Sequence, residues 1–99
     1  MTRYAARVDD NHAIIRECIR RAGYQAYDTF RLGQGFPDLL VVSKSGIIGL
    51  LEVKSENGNL NANEREFWSA FRGPKMIVRS PEDALAFLAW LDEITMECR

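Results

Sequence analysis

Two short apolar runs, Leu39 to Val42 and Ile47 to Val53, flank the turn-forming stretch Ser43-Lys44-Ser45-Gly46, the pattern of a β-hairpin. Upstream, the periodicity changes from two to nearly four. Ile14, Ile15, Cys18, Ile19 and Ala22 recur at the spacing of one helical face, with Asp9 or Asp10 as the expected N-cap and Gly23 as the stop, so a helix is predicted from about Asp9 to Ala22. Tyr24 to Phe30 alternates loosely and is rich in aromatics, as an edge strand would be. After the hairpin, Ser55 to Asn59 reads as a mobile polar loop, and a second helix is expected from about Ala62 to Phe71, with Leu60, Phe67, Ala70 and Phe71 as its apolar contacts. Asn61 with Glu64, and Asn63 with Glu66, both have capping-box spacing. Arg72-Gly73-Pro74 ends that helix and Lys75 to Val78 forms a short strand. Ser80-Pro81-Glu82-Asp83 then opens a third helix with an N-cap, a first-turn proline and two acids at the positive dipole end. Its apolar side is Ala84, Leu85, Phe87, Leu88 and Leu91, with Trp90 at the margin and a tail that frays or continues to Ile94. The order is helix, three strands, helix, strand, helix: an α/β chain with a mixed sheet.

Composition narrows the class. Ninety-nine residues, 46% hydrophobic and 27% charged, suit one soluble domain with a single core, residues 1–99. A net charge of −1 argues against gripping nucleic acid through bulk basicity. An uneven distribution of Arg7, Arg16, Arg20, Arg21, Arg31, Lys44, Arg65, Arg72, Lys75 and Arg79 still allows a basic rim. No apolar run approaches a membrane span and the first residues lack a signal-peptide core, so a cytoplasmic protein is expected. Cys18 and Cys98 are then reduced thiols, and two cysteines with one histidine make no zinc cluster.

The chemistry sits at the ends of the hairpin. Asp38 enters the first strand and Glu52 leaves the second, so an antiparallel return brings two carboxylates together from distant positions in sequence. Alternation puts Glu52 and Lys54 on one face, with Val53 turned toward apolar packing. Neighbouring carboxylates repel, and a divalent cation removes that penalty. Oxygen ligation by Asp38, Glu52 and the Val53 carbonyl, completed by water, suits Mg²⁺ or Mn²⁺. Lys54 beside such a cation has a lowered pKa and is placed to orient or deprotonate an attacking water and to balance charge on phosphate. The set reads as a phosphodiesterase site with Asp38, Glu52 and Lys54 as its catalytic residues. Gly33 and Gly35 let backbone approach a phosphodiester, and Gln34 between them is a candidate to hydrogen-bond DNA or water. Trp68 reads as packing and Glu17 as a surface acid paired with Arg20 or Arg21.

Pro37-Asp38 followed by Glu52-Val53-Lys54 resembles the PD-(D/E)xK nuclease superfamily and, within it, the stand-alone VRR-NUC (virus-type replication-repair nuclease) domains of phages and bacteria. The resemblance covers nearly the whole chain: Arg7-x-Asp9-x-Asn11, Gly35-x-Pro37-Asp38-Leu39-Leu40, Leu51-Glu52-Val53-Lys54, Leu60-x-x-x-Glu64-Arg65-Glu66-Phe67, Arg72-Gly73-Pro74 and Val78-Arg79-Ser80. It implies a restriction-endonuclease-like αβββαβ core, a mixed central sheet flanked by helices, plus the C-terminal helix. It also implies metal-dependent cleavage of DNA, branched DNA above all, by a Holliday-junction-resolvase-like homodimer acting in recombination, repair or phage replication. Trp90, Ile94 and Met96 are the surplus hydrophobes for that pairing. In many similar domains a Glu or Gln of the first helix completes the metal site; aligned on Arg7-x-Asp9-x-Asn11, His12 stands there, and a neutral imidazole is a poor Mg²⁺ ligand. His12 and Asn11 are thus candidates to contact substrate or its water, against a bland reading as helix-surface residues. Glu64 is a capping residue by its spacing and, by the resemblance, a site residue that holds water or Lys54. The alternatives are a flap, nicking or restriction-like nuclease with the same site, or a DNA-binding module with a degenerate one.

Overall fold

The computed structural model describes the backbone of residues 3–97 and the side chains of residues 11–94. In chain order the elements are α1 (Arg3–Arg21), β1 (Gln25–Asp28), a 3₁₀ turn (Phe30–Leu32), β2 (Leu39–Val42), β3 (Ile48–Val53), α2 (Ala62–Ala70), β4 (Lys75–Val78) and α3 (Pro81–Glu97). The strands form one sheet in the order β1-β2-β3-β4, the first two pairings antiparallel and the last parallel. The expected α/β architecture with a mixed sheet, flanking helices and a C-terminal helix is the one observed. Among the described residues no helix is long and apolar enough to cross a membrane.

One face of the sheet carries the core. Leu39, Val41, Leu51 and Val78 pack there against Ile15 and Ile19 of α1 and Ala84, Phe87, Leu88 and Leu91 of α3. Since alternate residues of a strand point to opposite faces, Leu50, Glu52 and Lys54 look the other way, toward α2. The hairpin turn is closed by backbone hydrogen bonds between Ser43 and Ile47 and between Gly46 and Ser43. It is tied to α3 by Asp92, which accepts from the Ser45 amide and hydroxyl at 2.9 and 2.8 Å.

Several expectations need correction. The first helix begins at Arg3, so Asp9 and Asp10 lie inside it and do not cap it; their side chains, with those of Arg7, Met96 and Cys98, fall outside the described residues. Ile14 is 54% exposed, because Ile15 and Ile19 define the buried stripe and Ile14 falls a residue off it. The C-terminal helix runs on to Glu97, and Ile94 packs against the core. Ala70 is exposed, and of the two possible capping boxes only Asn61 with Glu64 forms. The loop after β3, expected to be mobile, is tied down: the Arg79 guanidinium donates to the carbonyls of Ser55, Glu56 and Gly58.

The approach to Asp38 is fixed by backbone conformation. Gly33, Gln34 and Gly35 have φ of 70°, 56° and 78°, three successive left-handed residues. A Cβ on Gly35 would lie 2.2 Å from the Asn63 carbonyl oxygen in the first turn of α2, so only glycine lets the loop seat there. On the other side, Thr29 donates from its amide to the Asp38 carbonyl and from its hydroxyl to the Pro37 carbonyl, at 2.9 and 2.8 Å. Gly35→Ala is expected to destabilise the domain by roughly 3 kcal/mol or more, conformational strain plus a clash with α2, whereas Gly46→Ala in the open hairpin turn costs about 1–2 kcal/mol from its positive φ alone. Thermal denaturation of the two variants checks this, and equal losses would contradict the wedge.

Candidate active site

Where β2 begins and β3 ends, the sheet opens, and the ladder is continued there by a side chain. The last ladder pair is Leu39 with Leu51; beyond it the Val53 amide donates to Asp38 Oδ2 at 2.8 Å. Because the N–H and C=O of one strand residue point to the same side, the Val53 carbonyl is also directed to the Asp38 side. Val53's side chain packs on the core, as alternation required.

Glu52 is 2% exposed. Lys54 Nζ lies 3.5 Å from Glu52 Oε2 and donates at 2.8 Å to Glu64 Oε1. That same Glu64 oxygen accepts the Asn61 amide at 2.8 Å, while Asn61 Oδ1 accepts the Glu64 amide at 2.9 Å. The two readings of Glu64 are therefore one arrangement: the capping box that starts α2 also presents a carboxylate to Lys54.

The electrostatics follow from this crowding. Burial, then the charges of Asp38 and Glu64, push Glu52 up to about 8, with Lys54 offsetting only part of the rise. Burial lowers Lys54, but its bond to Glu64 and the charge of Glu52 outweigh that and raise it above the ordinary lysine value. The depressed lysine expected from sequence presupposed a neighbouring cation; the protein's own groups act in the opposite direction. Burial raises Glu64, and its bonds from Lys54 and the Asn61 amide overcome this and lower it.

On the core side of Asp38 lies a cleft of about 410 Å³, lined by His12, Ala13, Arg16, Asp28, Phe30, Arg31, Asp38 and Val53. His12 Nε2 is hydrogen-bonded to Asp28 Oδ1 at 2.7 Å, and Arg16 donates to Asp28 Oδ2 at 2.8 Å. Partial burial raises Asp28, but these two partners hold it below the usual carboxylate value. Phe30 meets His12 edge-on, with ring centroids 5.4 Å apart.

Asp38, Glu52, Lys54, Glu64 and the Val53 backbone thus converge. His12 reaches the same place from the other side of the sheet plane. Asn11, half-buried in α1, does not line the cleft, and Gln34 is exposed in the glycine loop. Glu17 pairs with Arg16 and Arg20, each at 3.3 Å. Trp68 is half-buried beneath Lys75, which bonds the Trp68 and Phe71 carbonyls closing α2. Sequence reading missed Asp28 and Phe30, although the antiparallel pairing of Asp28 with Leu39 sets Asp28 beside the Asp38 end and was implicit in an edge strand over Tyr24 to Phe30. Arg79 was assigned to the basic rim; its loop bonds were not foreseen. Among the described residues no three His, Cys, Asp or Glu side chains are grouped to hold a metal; with Glu64 taken up by Lys54 and the Asn61 amide, the donors left at the strand end are two carboxylates and a carbonyl.

The family model described as the VRR-NUC domain matches residues 4–80, well over half of the chain. Among solved structures, one titled "VRR_NUC domain" is similar with a TM-score of 0.65 and 24% sequence identity, over 85% of this chain and 92% of that one; at that identity it speaks for the fold. A search of curated proteins finds no match.

Glu52 gives the site a pH signature. Its folded-state pKa lies above its unfolded value of 4.5, so between about pH 4.5 and 8 the folded chain holds the extra proton and stability falls as pH rises. Glu52→Gln is therefore expected to melt several degrees above the wild type at pH 8.5 in EDTA, with the gap closing toward pH 4.5. A gap that does not change with pH would contradict the assignment.

Proposed function

The chain belongs to the VRR-NUC family, a family with a nuclease-type fold, and from that premise we propose that it is a divalent-metal-dependent, structure-selective DNA endonuclease. The observation that carries the reading is the buried Glu52 carboxylate, crowded by Asp38 on the strand beside it and answered on its own face by Lys54. Such a cluster is costly for a purely structural purpose. Its donor set, two carboxylates with the Val53 carbonyl beside them, fits a hard cation that keeps several waters.

In this reading Asp38, Glu52 and the Val53 carbonyl hold Mg²⁺ or Mn²⁺, which supplies Lewis-acid polarisation of the scissile phosphodiester. Lys54 directs its ammonium at the attacking water and at the charge that grows on the phosphate oxygens. Glu64 is a positioning residue: it fixes Lys54 Nζ from a capped helix start that needs no rearrangement for the reaction. Asp38 is aimed by its bond from the Val53 amide and by the Thr29 bonds to its own and the preceding carbonyl. His12, held by Asp28, lies on the cleft side of Asp38, where it meets substrate or its water in place of the Glu or Gln of similar domains. Asn11 and Gln34, neither of which lines the cleft, contribute to binding where the DNA approaches it.

We assign the working form as a homodimer on branched DNA, in recombination, repair or phage replication within a cytoplasmic setting, because one 99-residue domain spans too little surface for a four-way junction, whose symmetry a two-fold pair matches. The face of α3 bearing Trp90, 47% exposed, is the pairing surface left once Ile94 is assigned to the core.

Cleavage of four-way, flapped, nicked and linear DNA with Mg²⁺ or Mn²⁺ tests the proposal. The branched substrate should be cut, EDTA should stop the reaction, and Lys54→Ala and Asp38→Asn should each lower the rate by about a hundredfold or more. Asn is chosen over Ala because its amide oxygen can still accept from Val53. Junction binding with no cutting under either metal would favour the degenerate-module alternative, and cutting of flaps alone would favour the other nuclease readings.

A further inference from the structure

The cleft on the core side of Asp38 contains more than a metal-dependent hydrolysis needs. Its volume of about 410 Å³ falls in the range of ligand pockets, ~300–1,000 Å³. At its rim Phe30 keeps 46% of its surface exposed although it is a large apolar residue. Arg31 lies over the same ring, 5.5 Å from its centroid, and makes no ion pair among the described residues. Arg16 and His12, by contrast, are both committed to Asp28, which cancels its charge toward an anion and holds His12 edge-on against Phe30. The result is an aromatic surface backed by a fixed imidazole, next to a guanidinium that has no ion-pair partner among the described residues, in a pocket sharing Asp38 and Val53 with the strand end.

We propose that this cleft is a subsite for one unpaired nucleotide adjoining the scissile phosphate, its base stacked on Phe30 and its flanking phosphate on Arg31. A base inside a duplex has both faces covered by its neighbours and cannot stack on a side chain unless it leaves the helix. The subsite therefore selects strands that offer a splayed nucleotide at the cutting point, as flaps and single strands do and as a junction does once its branch point opens, over continuous duplex. The position of the subsite relative to the reacting phosphate rests on the nuclease reading above; the stacking platform itself does not.

The test separates the two. Wild-type protein in EDTA and low salt, where metal-dependent cutting cannot consume the probe, is titrated with five-residue oligothymidylate and, separately, with a blunt twelve-base-pair duplex, following backbone amide resonances. Oligothymidylate should shift the amides of Phe30, Arg31 and Ala13. Phe30→Ala should weaken its binding between roughly fivefold and a hundredfold, the worth of one base–aromatic stack, and Phe30→Trp should restore it. Duplex affinity should change less than twofold, and amide spectra of both variants report that the fold is retained. Oligothymidylate affinity unchanged in Phe30→Ala, shifts confined to surfaces away from the cleft, or equal losses for duplex and single strand would each overturn the proposal. A wild-type protein that cuts no DNA yet binds oligothymidylate through Phe30 would support the subsite while sinking the nuclease reading.

Discussion

A carboxylate that water barely reaches, beside another carboxylate and across from a third, is the constraint around which this domain is arranged. Glu52 occupies that position at 2% exposure, and its pKa of about 8 expresses how poorly its charged form is accommodated by the protein's own groups. Everything near it limits the damage or exploits it. Lys54 shares its face at 3.5 Å; Glu64 holds Lys54 in place; the Val53 amide ties down Asp38 so that the second acid cannot swing away. A hard cation would remove the remaining repulsion, and that is the physical link between this fold and phosphodiester chemistry.

Asp38 lies in the plane of the sheet, so the site has two sides. On one, the Lys54–Glu64 pair connects the strand end to α2. On the other, Asp28 gathers His12 and Arg16 of α1 around the cleft. The supports are those of an ordinary small domain used twice: the capping box that starts α2 also aims a lysine, and the glycine loop that seats against α2 also delivers Asp38.

How much of this could be read from sequence depended on the range of the interaction. The hairpin, the strand at Lys75 to Val78, the Asn61–Glu64 box and the facing of Glu52, Lys54 and Val53 follow from periodicity and turn chemistry over a few residues, and all appear as expected. The helix start at Arg3 was missed because Asp9 and Asp10 imitate a cap, although Tyr4, Ala5 and Val8 already stand at helical spacing ahead of them. Ile14 was misassigned by one step of helical rotation. Contacts that depend on how elements stack were the least visible. The His12–Asp28 bond joins residues 16 apart through the docking of α1 on β1, and the Arg79 bonds to the 55–58 loop need the parallel β3–β4 pairing before they can be imagined.

The central claim is that Asp38 and Glu52 jointly hold a divalent cation. Calorimetric titration of Mn²⁺ into the wild type, Asp38→Asn, Glu52→Gln and, as a control, Glu56→Gln in the exposed loop tests it without requiring any DNA. The account predicts binding to the wild type and the control, weakened at least tenfold in each of the other two. Equal affinity in all four proteins, or no binding to any of them, would contradict it.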